Sequence, residues 1–202
     1  MTALLDVMAV RATGDPAGAV VDCGEPGRGT EDLACDVLVV GGGTGGTAAA
    51  LAAARAGRRV CLLEETDWIG GQLTAQGVSA LDEHEHIERF GGTRSYYALR
   101  EAIRDHYRRL SPALASQPHP NPGTCWVTRL AFEPRVALAA LLAMAAPHVE
   151  AGRLTVLIRT KAARAETKPD CIESVLAVNL DERRWTRIRP RIVIDASELG
   201  DL

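Results

Sequence analysis

Lysine is nearly missing from this chain: of 23 basic residues, all but Lys161 and Lys168 are arginine. That bias reads as genome composition and not as a binding device. With 26 acidic residues the formal charge is −3, so no electrostatic argument points to nucleic acid or to an anionic membrane. Long apolar runs are also missing. None approaches the roughly 20 residues that cross a bilayer, and the Ala-rich stretch from Thr47 is interrupted by Arg55. The start, MTALLDVMAVRATGD, lacks the basic head and long apolar centre of a secretory signal. Cysteine is present but unorganised: Cys23, Cys35, Cys61, Cys125 and Cys171 form no C-x-x-C pair and no metal-ligand spacing. Their odd number and scatter argue against a disulfide framework, so a reducing, cytoplasmic setting is expected.

What is present is concentrated between Cys35 and Glu65, CDVLVVGGGTGGTAAALAAARAGRRVCLLEE. Asp36 to Val40 is a short apolar run with the β-branched bias of a buried strand. Gly41, Gly43 and Gly46 then satisfy G-x-G-x-x-G. Thr44 to Gly57, Ala-rich and stopped by glycine, predicts a helix. Arg59 to Leu63 predicts a second strand, with Glu64 at its carboxyl end. Strand, triplet, helix, strand and acid together describe a dinucleotide-binding unit. Gly41 allows the sharp turn, Gly43 the approach of a pyrophosphate to the backbone, and Gly46 the contact of helix and strand. Thr44 and Gly45 open the helix, whose N-terminus suits a diphosphate. Glu64 can accept hydrogen bonds from ribose hydroxyls, and its charge disfavours a 2′-phosphate and hence NADP.

At 202 residues and 47% hydrophobic content the chain can form one good core, with room for a small subdomain. Residues 1–34, rich in Gly, Pro, Asp and Thr, are expected to be a disordered or loosely packed leader. The dinucleotide-binding domain is expected over 35–202, with 66–131 as a loop and helix insertion. Within the insertion Thr66 to Gly92 is irregular. Thr93 to Leu110 predicts a helix with Tyr97, Leu99, Ile103 and Tyr107 as its apolar positions, and Ser111 to Thr128 is a Pro-rich loop. Glu133 to Val149 predicts another helix opened by Pro134. Strands are predicted at Leu154–Ile158, Ala162–Glu166, Ser174–Asn179, Trp185–Ile188 and Ile192–Ala196. The succession implies an α/β fold: a Rossmann-like parallel sheet with an antiparallel β-meander inserted as a crossover.

Three stretches resemble the FAD-dependent oxidoreductases of the glutathione-reductase-like, two-dinucleotide-fold superfamily: residues 36–65, DWIGGQL at 67–73 and IVIDASELGDL at 192–202. The resemblance implies that FAD is the cofactor and that Glu64 binds the adenosine ribose. It implies that Gly70 and Gly71 let the chain pass against the ribityl and isoalloxazine part. Ala162 would contribute a backbone contact to adenine, and Gly200-Asp201 would place an acid near the ribityl or pyrophosphate groups. The implied reaction is hydride transfer from an unidentified small-molecule substrate to flavin N5. The chain departs from the pattern in two places. No cysteine pair follows the second strand, which argues against thiol–disulfide exchange. Ser197-Glu198 stands where Thr-Gly is more usual. Family members also continue for several hundred residues, so the chain resembles an N-terminal portion whose fold a second chain could complete. The alternatives are an NAD(H)-binding dehydrogenase domain and a non-catalytic truncated or split subunit.

Other candidates are weaker. His84 and His86 in DEHEHIE could bind a metal with Asp82 or Glu85, act as a base, or belong to a solvated loop; no metal site is expected. Tyr96 is followed at the fourth position by Arg100 where Y-x-x-x-K chemistry needs lysine, and arginine does not deprotonate. Trp68 could cover the flavin edge or simply pack, and Cys125-Trp126 reads as a surface turn.

Overall fold

The computed structural model describes residues 4–6, 19–78, 80–200 and 202. Its elements, in chain order, are β1 (Leu4–Asp6), β2 (Val20–Asp22), β3 (Glu31–Ala34), β4 (Val37–Val40), α1 (Thr44–Arg55) and β5 (Val60–Leu63). After a 3-10 turn at Gly71–Leu73 come α2 (Arg94–Leu110), α3 (Pro112–Ala115) and α4 (Pro134–Glu150). The remainder is strand: β6 (Leu154–Leu157), β7 (Thr160–Lys168), β8 (Cys171–Asn179), β9 (Trp185–Arg189) and β10 (Ile192–Asp195). The chain divides into two compact units, the first formed by residues 1–69 with 145–202 and the second by 70–144.

In the first unit, β10, β4, β5 and β6 form a parallel sheet in that order. Val37, Val60 and Leu154 align across it, as do Val40 and Leu63. All eight residues of β4 and β5 are buried, as expected of strands covered on both faces. Side chains alternate between the faces. Leu38, Val40, Cys61 and Leu63 form one core with Ala162, Val175, Ala177 and Ile188 of the second sheet, ordered β3-β9-β8-β7. Val37, Val39, Val60 and Leu62 therefore face the opposite side, where α1 turns Ala50, Leu51 and Ala54 inward. A small residue at each of those two alanine positions is what lets the helix lie close to the sheet. The strands β7, β8 and β9 pair antiparallel and connect β6 to β10, which is the inserted meander expected from sequence.

Residues 19–34, assigned from sequence to the leader, carry β2 and β3. β3 adds to the second sheet in parallel with β9. Cys23 is buried, and its carbonyl accepts the Trp185 indole N–H at 3.0 Å.

In the second unit the buried face of α2 is Leu99, Arg100, Ile103 and Arg104. Sequence placed Tyr97 and Tyr107 there instead, and both are only partly buried. The arginines face inward because Glu83 and Glu88 neutralise them. Arg100 pairs with both glutamates, and Arg104 holds Glu88 at 2.6 Å and donates to the Pro120 carbonyl at 3.2 Å. Tyr96 and Thr128 donate to Glu83 at 2.6 and 2.8 Å. DEHEHIE thus supplies buried counter-ions through Glu83 and Glu88, while His84 and His86 are exposed beside Phe90.

Candidate functional site

The parallel sheet reverses its order at β4: α1 carries the chain to β5 on one side, and the meander returns it to β10 on the other. Ligands of open α/β sheets bind at such a switch point, beyond the carboxyl ends of the strands. A cavity of about 310 Å³ lies there, lined by the ends of β4, β5 and β10, the glycine loop and the start of β7.

The loop is built by its glycines, each for a different reason. Gly41 has φ of +97°, and a Cβ there would lie 2.3 Å from the Ala196 carbonyl oxygen. At Gly46 a Cβ would lie 1.9 Å from the Gly41 carbonyl oxygen. These two are demanded by the protein's own packing. Gly42 is closed off by Glu64, whose Cβ would be 2.8 Å from an added Cβ. Gly43 differs. Its φ is −58°, which any residue adopts, and among the described residues an added Cβ would meet only the Glu198 carboxylate, at 3.3 Å. Neither backbone strain nor packing requires glycine there, so the position is open toward the cavity.

Helix α1 starts at Thr44 with no side-chain cap bond and no acid in its first turn. Thr47 anchors the loop instead, donating its hydroxyl to the Gly42 carbonyl at 2.8 Å. Glu64 is 5% exposed. Its Oε2 accepts the Gly42 amide at 2.9 Å, and its Oε1 accepts the amide and the hydroxyl of Thr66, each at 2.7 Å. A carboxylate offers about four acceptor positions, so these three bonds leave Oε2 able to receive another donor. Beside it Lys161 Nζ holds Glu65 at 2.7 Å. Asp195, at the end of β10, is kept below the usual carboxylate range. Its partial burial works the other way but is outweighed by the Ser197 hydroxyl and amide and by the Leu202 amide.

The structure thus brings Gly41, Gly43, Glu64 and Ala162 to one cavity, with Thr44, Gly45 and Gly46 in the adjoining first turn of α1. Ala162 lies on β7, the edge strand of its sheet, beside a register shift between residues 162 and 164. Gly70 and Gly71 belong to the second unit. Both have positive φ and shape the turn into the 3-10 segment, where a Cβ at Gly70 would lie 2.6 Å from Leu141. Asp201 lies outside the described residues. Trp68 is partly buried and does not line the cavity. Trp126 is 94% exposed. Among the described residues no group of three or more His, Cys, Asp or Glu could hold a metal ion, and no helix is long and apolar enough to cross a membrane. Sequence reasoning missed Gly42, Glu65, Lys161 and Glu198 as lining residues. Gly42, Glu65 and Lys161 had closeness to motif residues as their only signal, and Glu198 its departure from the family pattern.

The fold is Rossmann-like, a parallel sheet that carries an antiparallel meander, with a cavity at its switch point. The chain belongs to the FAD dependent oxidoreductase family, whose model matches residues 36–202. Among solved structures it is similar to a geranylgeranyl bacteriochlorophyll reductase-like protein from Thermoplasma acidophilum, with 19% identity and a TM-score of 0.48 over 82% of this chain and 40% of that one. It is also similar to L-proline dehydrogenase from P. horikoshii, with 18% identity and a TM-score of 0.46 over 86% of this chain and 24% of that one. A third is the myxobacterial chondrochloren halogenase CndH, with 19% identity and a TM-score of 0.46 over 82% of this chain and 37% of that one. The chain spans at most 40% of the length of these three. No curated protein matches significantly.

Proposed function

We propose that this chain is the cofactor-holding part of an oxidoreductase of the glutathione-reductase-like flavoprotein superfamily, and that it binds FAD at the cavity beyond β4, β5 and β10. The observation that carries this is Gly43, the one glycine of the G-x-G-x-x-G triplet that neither φ nor packing explains. A cradle that a side chain would fill fits a diphosphate lying against the backbone. The positive end of the α1 dipole, at the turn of Thr44, Gly45 and Gly46, faces it.

Glu64 Oε2 has room to accept a hydroxyl of the adenosine ribose while keeping its bond to Gly42. Ala162, at the irregular edge of β7, offers backbone groups to adenine. Gly70, Gly71 and Asp201 enter this reading through the resemblance of their motifs. Bound FAD would supply the redox chemistry, accepting a hydride at N5 from a small-molecule substrate. The chain's own part is to hold and orient: the glycines fix the backbone, and Glu64 fixes the loop. Family membership favours FAD over NAD(H) as the dinucleotide.

The test is a titration of FAD into the chain and into Gly43→Val, followed by quenching of flavin fluorescence. Saturable binding that is lost in the variant, with the circular dichroism spectrum preserved, supports the proposal. Equal binding by both would place the site elsewhere.

A further inference from the structure

Among the described residues, Glu198 comes nearest to the open side of Gly43: its Oε1 lies 3.3 Å from where a Cβ at that residue would stand. It lines the same cavity as the glycine loop, from the strand end after β10. The helix behind that loop has no acid in its own first turn. A negative group near its N-terminus is therefore favourable, and Glu198 provides one from a different element. A diphosphate approaching Gly43 would need the same electropositive ground and carries the same sign of charge. Two anions a few ångströms apart repel. Glu198 is exposed, so it can swing into solvent, and screening keeps the penalty modest.

We propose that Glu198 is a displaceable anion that sets the affinity of this cavity for diphosphate ligands, standing over Gly43 until the ligand drives it aside. The proposal rests on reading the cavity as a dinucleotide site. Its consequence is selective: it penalises a charged diphosphate and leaves a neutral nucleoside untouched.

The experiment is calorimetric titration of ADP and of adenosine into the full chain, Glu198→Gln and Glu198→Gly, at low and high salt. ADP should bind Glu198→Gln about three- to tenfold more tightly than wild type at low salt, a gap that closes as salt screens the charges. Glu198→Gly should match or exceed that gain, and adenosine affinity should not change. ADP affinity that is unaltered or weaker in Glu198→Gln, while wild type binds ADP, overturns the displaceable-anion role alone. Failure of wild type and both variants to bind ADP overturns the dinucleotide reading of the cavity and this proposal with it.

Discussion

The amide of Gly42 and the carboxylate of Glu64 meet at 2.9 Å across 22 residues of sequence. The bond ties the glycine loop to the end of β5, and only glycine at residue 42 lets the two come together, since a Cβ there would lie 2.7 Å from Glu64 Oε2. Glu64 therefore stabilises the fold. Glu64→Ala takes the acceptor from the buried Gly42 amide and from the part-buried Thr66 amide, which should cost about 1–3 kcal/mol. Urea denaturation measures this, and FAD affinity should fall in the same variant. An unchanged denaturation midpoint would contradict the structural half of the role.

The two kinds of glycine should separate under substitution. Gly46→Ala drives a methyl group into the Gly41 carbonyl, and overpacking of this kind typically costs about 1–3 kcal/mol or more. Gly43→Ala meets only a movable carboxylate and should leave the melting temperature nearly unchanged. Thermal unfolding of both variants decides this; equal losses would mean that the open side of Gly43 has been misread.

In the second unit, Arg100 is 1% exposed and pairs with Glu83 and Glu88. Removing one member of a buried ion pair strands the other, at about 3–5 kcal/mol. Arg100→Ala should therefore unfold at clearly lower urea. His84→Ala, at an exposed position, should not; a large loss there would give the histidine a role that the structure does not.

Alkaline pH offers a further check. Burial, with a smaller contribution from Cys35, pushes the Cys61 thiol from 9.0 up to about 12. The folded value lies above the unfolded one, so this contribution is present in full below about pH 9 and is lost as pH rises toward 12. Wild type should lose stability through that window faster than Cys61→Ala, as read from urea midpoints against pH. Tyr107, raised to about 12 chiefly by burial, titrates in the same range in both proteins. Parallel curves would remove Cys61 as a contributor.

Local patterns carried most of the fold. The apolar runs at β4 and β5, the Ala-rich helix stopped before Gly57, and the helix ending at Leu110 are all readable because short-range chemistry decides them. β3 was not readable: Glu31–Ala34 has little β character, and its partner β9 is more than 150 residues away. The inward arginines of α2 escaped for a related reason. Helical spacing marks a buried face by apolar residues, and Arg100 and Arg104 belong to it only because Glu83 and Glu88 arrive from another segment. At the site, the triplet marked the loop and separated the packing glycines 41 and 46 from Gly43, whereas the packing role of Gly42 needed the position of Glu64. Glu198 stood out in sequence only as a departure from a pattern. Its place over Gly43 depends on β10 returning beside β4.

If the cavity beyond β4 holds FAD, the bound flavin will absorb in the visible. The most direct test is the visible absorption spectrum of the purified chain after incubation with FAD and removal of unbound cofactor by gel filtration. A protein-bound flavin spectrum with near-equimolar stoichiometry is expected. A folded protein that emerges colourless would contradict it.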